Sequence, residues 1–105
     1  MATRSAFQAI SDPTRRAILD ALKDDGPLKA GDLAERFARI SRPAVSKHLR
    51  ILRSAQLVAQ NKRGREVWYD ISPTPLTQVQ AWLGEYEVFW QDRLMRLKDA
   101  VEQDK

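Results

Sequence analysis

The feature that most constrains the fold is a pair of short amphipathic segments joined by about three residues. In the first segment, roughly residues 30–38, Ala30, Leu33, Ala34 and Phe37 fall at i, i+3, i+4 and i+7. This spacing places the four apolar side chains on one side of an α-helix, and it predicts that this side is buried. The segment has no apolar continuation, so the helix is short.

The second helix of the pair begins at a clear signal. Ser41 suits the N-cap and Pro43 suits the first turn, so we predict a helix from about Arg42 to Ala55. The tight link between the two helices is Arg39-Ile40-Ser41. This is the spacing of a helix-turn-helix motif, whose second helix enters the major groove of DNA.

The two sides of this second helix differ in chemistry. Val45, Leu49 and Leu52 lie at i, i+4 and i+7 and form the side that we predict to be buried. The other side is polar and basic, and its residues recur at i, i+4, i+8 and i+11. Its members are Arg42, Ser46, Arg50 and Arg53, with Lys47 beside them.

Positive charge is concentrated in the same part of the chain. Residues 36–65 contain nine of the 18 Lys and Arg residues and none of the 14 Asp and Glu residues, although the net charge of the chain is only +4. A block of one sign suits a polyanionic partner, of which nucleic acid is the first candidate. Because the block coincides with the helix-turn-helix motif, DNA binding is favoured over a merely solvated basic surface.

A β-hairpin follows the helix pair. Residues 57–61 and 66–71 have strand character and are predicted to be strands. In the second of them, Val67, Trp68, Tyr69 and Ile71 are β-branched or aromatic. Lys62-Arg63-Gly64-Arg65 lies between them, and Gly64 can adopt a positive φ. The prediction is a hairpin with a basic tip, which is the wing of a winged helix-turn-helix.

The N-terminal part supplies two further helices. Residues 5–11 contain apolar side chains and are predicted to form one or two helical turns. Asp12-Pro13 then starts a longer helix, because Asp12 can cap it and Pro13 suits its first position. Gly26-Pro27 ends it.

The C-terminal part carries an apolar stripe that is too long for one small body to cover. Ser72-Pro73-Thr74-Pro75 breaks the hairpin, and a helix of about 28 residues, or roughly 42 Å, follows. A body of about 70 residues spans only roughly 25 Å, so we expect a homodimer formed through this helix. The last residues, 102–105, are polar and are expected to be frayed. The stripe is spaced 4, 3, 4, 4, 3, 4 along Val79, Leu83, Tyr86, Trp90, Leu94, Leu97 and Val101, and Trp82 and Phe89 widen it.

Other function classes find little support. The chain has no cysteine, hence no thiolate nucleophile, disulfide or thiolate metal site, and it has one histidine. It shows no Gly-rich phosphate loop and no catalytic triad or carboxylate pair, so we expect no enzyme activity and no cofactor. Its longest apolar runs do not suffice for a membrane span, and its N-terminus shows no secretory pattern. We therefore expect a cytoplasmic protein without a membrane partner.

Three blocks of the sequence resemble the ArsR family of bacterial winged-helix transcriptional repressors. They are residues 12–19 (DPTRRAIL), 41–52 (SRPAVSKHLRIL) and 64–69 (GREVWY). The middle block is similar to the recognition helix of the family and the last block to its wing. The match covers about residues 5–71, with a looser match in the last helix. The resemblance implies a homodimer that binds an operator, with dimer contacts from the first and last helices.

The chain departs from the metal-sensing members of that family. Those members carry paired cysteines in the helix before the recognition helix, or Asp and His ligands in the last helix. Here the first region reads Lys29-Ala30-Gly31-Asp32-Leu33, and the last helix has no histidine. The chain therefore resembles the metal-free branch, and we predict no metal-binding residues.

The resulting hypothesis is a mainly α winged helix-turn-helix with about five helices, a small hairpin and a long C-terminal dimerisation helix. Residues 1–72 are expected to bind DNA and residues 73–105 to dimerise. The residues that we predict to contact DNA are Ser41, Arg42, Pro43, Ala44, Ser46, Lys47, His48, Arg50, Arg53, Lys62, Arg63 and Arg65. Those predicted at the dimer interface are Phe7, Ile10, Val79, Trp82, Leu83, Tyr86, Phe89, Trp90, Leu94 and Leu97.

The roles of these residues differ. Arg42 and Arg50 are candidates for guanine O6 and N7, and Ser46 for a base edge or a phosphate. Lys47, Arg53 and some of the wing residues are expected at phosphates, and Arg63 is alternatively a candidate for a minor groove. His48 is expected to have a structural or phosphate-binding role.

Two alternatives to an operator-specific repressor stay open. A non-specific architectural DNA-binding protein would share the basic surface. A repressor released by a small organic effector would bind that effector among the C-terminal aromatic residues.

Overall fold

The computed structural model describes residues 5–103 and contains five helices and three strands within them. The fold is mainly α, with a small antiparallel sheet and a long C-terminal helix, so the predicted winged helix-turn-helix is confirmed. The elements in chain order are α1 (Ala6–Ala9), α2 (Pro13–Asp25), β1 (Leu28–Lys29), α3 (Ala30–Arg36), α4 (Arg42–Ser54), β2 (Val58–Arg63), β3 (Glu66–Ile71) and α5 (Leu76–Gln103).

The helix starts follow the capping signals in the sequence. The Asp12 carboxylate accepts a hydrogen bond from the Arg15 amide at 3.0 Å and so caps α2. The Ser41 hydroxyl accepts one from the Ala44 amide at 3.2 Å and caps α4. At the other end of α2, Gly26 adopts φ 76°, a conformation that side chains disfavour. These residues fix both ends of α2 and the start of α4.

The hairpin is tighter than the sequence predicts. Strands β2 and β3 pair in antiparallel register from Val58↔Ile71 to Arg63↔Glu66. Only Gly64 and its neighbour Arg65 form the turn, and Gly64 adopts φ 63°. The predicted four-residue tip is therefore wrong, because Lys62 and Arg63 belong to β2 and their side chains project from a strand.

A third strand was not predicted. Leu28 and Lys29 were expected only to lead into α3, but they pair with β3 through Leu28↔Tyr69 and Lys29↔Trp68. The prediction failed because two residues carry no alternation pattern that could indicate a strand. The strand order is β1-β3-β2, so the hairpin is attached along β3 to the chain that enters the helix-turn-helix.

The core lies between α2, α3, α4 and the base of the sheet. Its largest fully buried side chains are Ile18, Leu22, Leu33, Leu52 and Leu57. The predicted stripe of α3 is only partly confirmed: Leu33 is buried, whereas Ala30, Ala34 and Phe37 are half-buried. The helix ends at Arg36, so Phe37 lies in the link and packs against the edge of the core.

The connection from α4 to the wing turns on a residue that is not glycine. Gln56 adopts φ 62°, and its amide donates to the Arg53 carbonyl at 2.9 Å. The Leu57 amide donates to the Leu52 carbonyl at 3.0 Å, and both leucine side chains are buried. This is a Schellman motif with its hydrophobic contact. It fixes the direction in which β2 leaves α4.

Helix α5 is anchored at one end and exposed along most of its length. Val79, near its start, is buried in the core of the protomer, and Phe7 of α1 packs on Trp82. Most residues beyond Trp82 are exposed. The predicted fraying is wrong for Glu102 and Gln103, which are helical, while residues 104–105 lie outside the described range.

Candidate nucleic-acid interface

The outer side of α4 is the best candidate for contact with DNA. The buried side predicted from the sequence is confirmed, because Val45, Leu49 and Leu52 lie in the core. Ser41 and Pro43 at the start of the helix are exposed, while Ala44 is half-buried. The polar and basic residues of the opposite side are all exposed, and they are Arg42, Ser46, Lys47, Arg50 and Arg53.

The basic side chains of α4 are not engaged by acidic groups of the protomer. Within residues 5–103, no Asp or Glu lies within ion-pair distance of Arg42, Lys47, Arg50 or Arg53. Their hydrogen-bond donors are therefore available to an external anion. Guanidinium groups suit this role because they form bidentate contacts with phosphate or with the guanine edge.

The basic surface of α4 continues towards the wing. Arg50 and Arg53 line a groove of about 390 Å³, whose other wall is formed by Val58, Ala59 and Gln60 at the start of β2. The helix and the hairpin thus form one surface. A duplex lying along it would meet α4 first and β2 next.

In the wing, one arginine is held by an aromatic ring. The Arg63 guanidinium lies 4.8 Å from the centre of the Trp68 ring, and the Lys29 ammonium lies 5.6 Å from it. Lys29 also forms a 2.8 Å ion pair with Glu66. This hydrogen-bonded pair raises the pKa of Lys29 and lowers the pKa of Glu66. Arg63 is therefore oriented by stacking, while Lys62 and Arg65 are exposed beside it.

The basic block is not free of acidic neighbours in three dimensions. Arg36, at the end of α3, forms an ion pair with Asp25 at the end of α2. The two residues are 11 positions apart, and Asp25 lies outside the acid-free stretch. Part of the charge that the sequence suggested for DNA is thus used inside the protomer.

His48 is less open than its neighbours on α4. Its side chain is 19% exposed, and its Nδ1 atom lies 3.3 Å from Arg15 Nη1 and 3.9 Å from a carboxylate oxygen of Asp12. Burial raises the pKa of Asp12, but the hydrogen bond from the Arg15 amide and the positive charge of the Arg15 guanidinium lower it, and the pKa stays below its usual value. The sequence did not indicate this cluster, because His48 is 33 residues from Arg15.

A second surface, the aromatic face, lies on α5 and α1. Phe7 contacts Trp82 edge-on at 5.7 Å, and Trp82 contacts Tyr86 at 4.8 Å. Two predicted interface residues lie further inside, since Val79 is buried and Ile10 is half-buried in the protomer itself. The aromatic face is exposed, and its members are Phe7, Trp82, Leu83, Tyr86, Phe89, Trp90, Leu94 and Leu97, which are 40–62% exposed.

Residues 5–103 contain no group of three or more His, Cys, Asp or Glu residues that could hold a metal ion. No helix in that range is long and apolar enough to cross a membrane.

A small helical core that carries a basic helix beside a wing defines a winged helix-turn-helix protein that binds DNA. Known proteins agree. A family model described as a helix-turn-helix domain matches residues 10–61. The transcriptional repressor SdpR of Bacillus subtilis (strain 168) is 44% identical over 79 residues, which cover 75% of this chain and 86% of that protein.

Solved structures give the same result. The crystal structure of an ArsR family transcriptional regulator matches with a TM-score of 0.70 and 38% identity, covering 81% of this chain and 86% of the other. An ArsR-like transcriptional regulator from Rhodococcus sp. RHA1 matches with a TM-score of 0.70 and 35% identity, covering 92% and 87%. The chain belongs to the ArsR family of DNA-binding transcriptional regulators, which are not enzymes.

Proposed function

We propose that the protein is a homodimeric, cytoplasmic repressor that binds a pseudo-palindromic operator and controls its own transcription. Each α4 enters one major groove and each wing follows the adjacent backbone. The observation that carries this proposal is the outer side of α4, which is exposed and unpaired with any acidic group in residues 5–103. Two half-sites would lie about 10 bp apart, or a multiple of that distance.

The chemistry of each side chain suggests its role on DNA. Arg42 and Arg50 recur on the outer side of α4 and are assigned to guanine O6 and N7, and Ser46 to a base edge or phosphate. Lys47 and Arg53 are assigned to phosphates, which give affinity without sequence preference. Arg63, stacked on Trp68, presents the edge of its guanidinium to the backbone.

The second protomer is supported by the aromatic face. Its side chains stay 40–62% exposed in the protomer, and they form a patch that soluble monomers rarely leave uncovered. In this proposal residues 1–72 bind DNA, while residues 73–105, with Phe7, form the dimer interface. A second copy would cover the same stripe on both protomers, as two-fold symmetry requires.

The proposal is tested by selecting bound fragments from random DNA and then competing the selected duplex against random duplex. We expect Arg50→Ala to lower affinity for the selected duplex about tenfold or more, and affinity for random DNA much less, because a bidentate base contact is lost. Arg36→Ala is the matched control, because Arg36 is paired with Asp25 and lies outside α4. Equal losses on both duplexes would identify a non-specific architectural protein instead.

The salt dependence of binding separately measures the electrostatic contribution to DNA affinity. If the dimer neutralises about eight phosphates, the logarithm of the association constant should fall with the logarithm of salt concentration with a slope of roughly −7. A slope near zero would contradict the assignment of the basic surface to DNA. The slope for Lys47→Ala should be less steep by about two per dimer, since two phosphate contacts are removed.

A further inference from the structure

One arginine connects three helices behind the proposed DNA-binding surface. Arg15 of α2 donates from Nε to the Ala9 carbonyl at 2.6 Å and from Nη2 to the Gln8 carbonyl at 3.3 Å, at the end of α1. Its third nitrogen, Nη1, lies 3.3 Å from Nδ1 of His48 on α4. The guanidinium is therefore fixed on one side by backbone carbonyls and faces the imidazole on the other.

The contact with His48 determines where the imidazole carries its proton. A guanidinium only donates hydrogen bonds and is not deprotonated in proteins, so a hydrogen bond across this 3.3 Å contact requires Nδ1 to accept. In that case the ring proton lies on Nε2. A proton on Nδ1 would instead point at the N–H group of Arg15.

Asp12 acts on the same atom, Nδ1 of His48, in the opposite sense to Arg15. Its carboxylate favours a proton on Nδ1, but its oxygen is 3.9 Å away, which is beyond hydrogen-bond distance. The same oxygen already accepts the Arg15 amide as the cap of α2. The distances therefore favour Arg15 as the group that sets the state of His48.

We propose that Arg15 is a positioning residue that fixes His48 as its neutral Nε2–H tautomer, so that α4 offers DNA a hydrogen-bond donor in place of an imidazolium. The DNA part of this inference rests on the proposed function. The acceptor would be a phosphate oxygen, which takes a hydrogen bond from a neutral N–H as it does from backbone amides. The His48 side chain is 19% exposed, so part of it is open to an approaching phosphate.

The tautomer is measured directly by ¹⁵N NMR of the full chain labelled at histidine. His48 is the only histidine of the sequence, so the imidazole signals belong to one ring. At neutral pH and without DNA, we expect Nε2 to carry the proton and Nδ1 to be unprotonated. In Arg15→Met we expect a mixture of both tautomers, because the obligate donor is gone.

Arg16→Met is the matched control. Arg16 also binds the end of α1, donating from Nη1 to the Ile10 carbonyl at 2.7 Å, but it does not contact His48 within the described contacts. It should leave the tautomer unchanged. If Arg15→Met does not fold, Arg15→Gln replaces it, because a side-chain amide can both donate and accept and should also give a mixture.

The role in DNA binding is measured with the selected duplex. We expect His48→Phe to lower affinity roughly three- to tenfold, because the donor to DNA is lost, and Arg15→Met to lower it about twofold, because a mixture of tautomers still offers Nε2–H part of the time. In the His48→Phe background, Arg15→Met should have little further effect. Fully additive losses would overturn the coupling. No loss from Arg15→Met would overturn its role on DNA.

The two parts of the inference fail independently of the proposed function. A wild-type ring that carries its proton on Nδ1 or on both nitrogens, or an Arg15→Met ring that keeps a pure Nε2–H tautomer, overturns the assignment whether or not DNA binds. By contrast, the absence of a preference for any duplex would contradict the proposed function. The NMR result could still be interpreted, because it is measured without DNA.

Discussion

Helices α4 and α5 both lay one side on the body of the protomer, yet their outward sides have opposite chemistry. The outward side of α4 is polar and basic, and its buried side is completed by the core around Leu52. The outward side of α5 is apolar, with Trp90 and Leu94 60% and 59% exposed. The first pattern suits a helix that meets water or an anion. The second suits a helix that meets another apolar surface.

This difference shows where each helix buries its apolar side chains and therefore where its stability comes from. The residues of α4 that need burial find it within one chain, so this helix does not depend on assembly. The aromatic face of α5 finds no such cover within residues 5–103, and in the proposed function a second protomer supplies it. Variants on the two helices should therefore respond differently to protein concentration.

The largest effect is expected from a charge on the aromatic face. Leu94→Glu should give a monomer in sedimentation and lower operator affinity by about 100-fold or more, because two linked half-site contacts become one. Val88→Glu is the control, since Val88 is 71% exposed and lies about half a helical turn away from the stripe. If both variants stay dimeric, the interface lies elsewhere.

An intermediate effect is expected at the start of α4. Ser41→Ala removes the cap on the Ala44 amide and should cost about 1 kcal/mol in the free energy of unfolding. The loss should be similar at every protein concentration, whereas Leu94→Glu should remove the rise in Tm that accompanies a higher concentration of dimer.

Ser41→Asp separates the cap from the DNA contact. Aspartate caps a helix as well as serine does, so stability should be retained. Operator affinity should still fall, because a carboxylate at the exposed start of α4 would repel the DNA phosphates that approach it. Retained affinity in Ser41→Asp would move the DNA surface away from the start of α4.

The smallest effect is expected in the wing, where Arg63 already lies over the Trp68 ring. Trp68→Leu removes the ring on which Arg63 stacks and should lower DNA affinity about two- to fivefold, the range of an exposed cation–π contact. Trp68→Phe keeps an aromatic face and should lose less. Equal losses in fluorescence titrations of the two variants would assign the effect to the fit of the tryptophan and not to stacking.

Much of the fold was predictable because it depends on short-range signals. The caps at Asp12 and Ser41, the stop at Gly26 and the apolar period of α5 are read within a few residues of sequence, and the structure confirms each of them. The exposed side of α4 followed from the same periodicity. These features depend on helix geometry alone.

The contacts that were missed link residues far apart in the chain. The Arg36–Asp25 ion pair and the Arg15–His48 contact span 11 and 33 residues, and no local pattern indicates either. Strand β1 was missed because it is two residues long, and the turn at Gln56 because it lacks the glycine that usually indicates it. As a result, the exposed basic side of α4 was predictable, but the long-range contacts around it were not.

The left-handed turn at Gln56 limits how the surface formed by α4 and β2 can change among related proteins. Because Gln56 and Leu57 are tied to the last carbonyls of α4, the offset between the recognition helix and β2 is set by backbone bonds and not by the side chains that face outwards. Substitutions on either element can change which bases are preferred. An insertion or deletion between Ser54 and Val58 would shift one element along the duplex relative to the other, so the number of residues there should stay constant while the outward side chains vary.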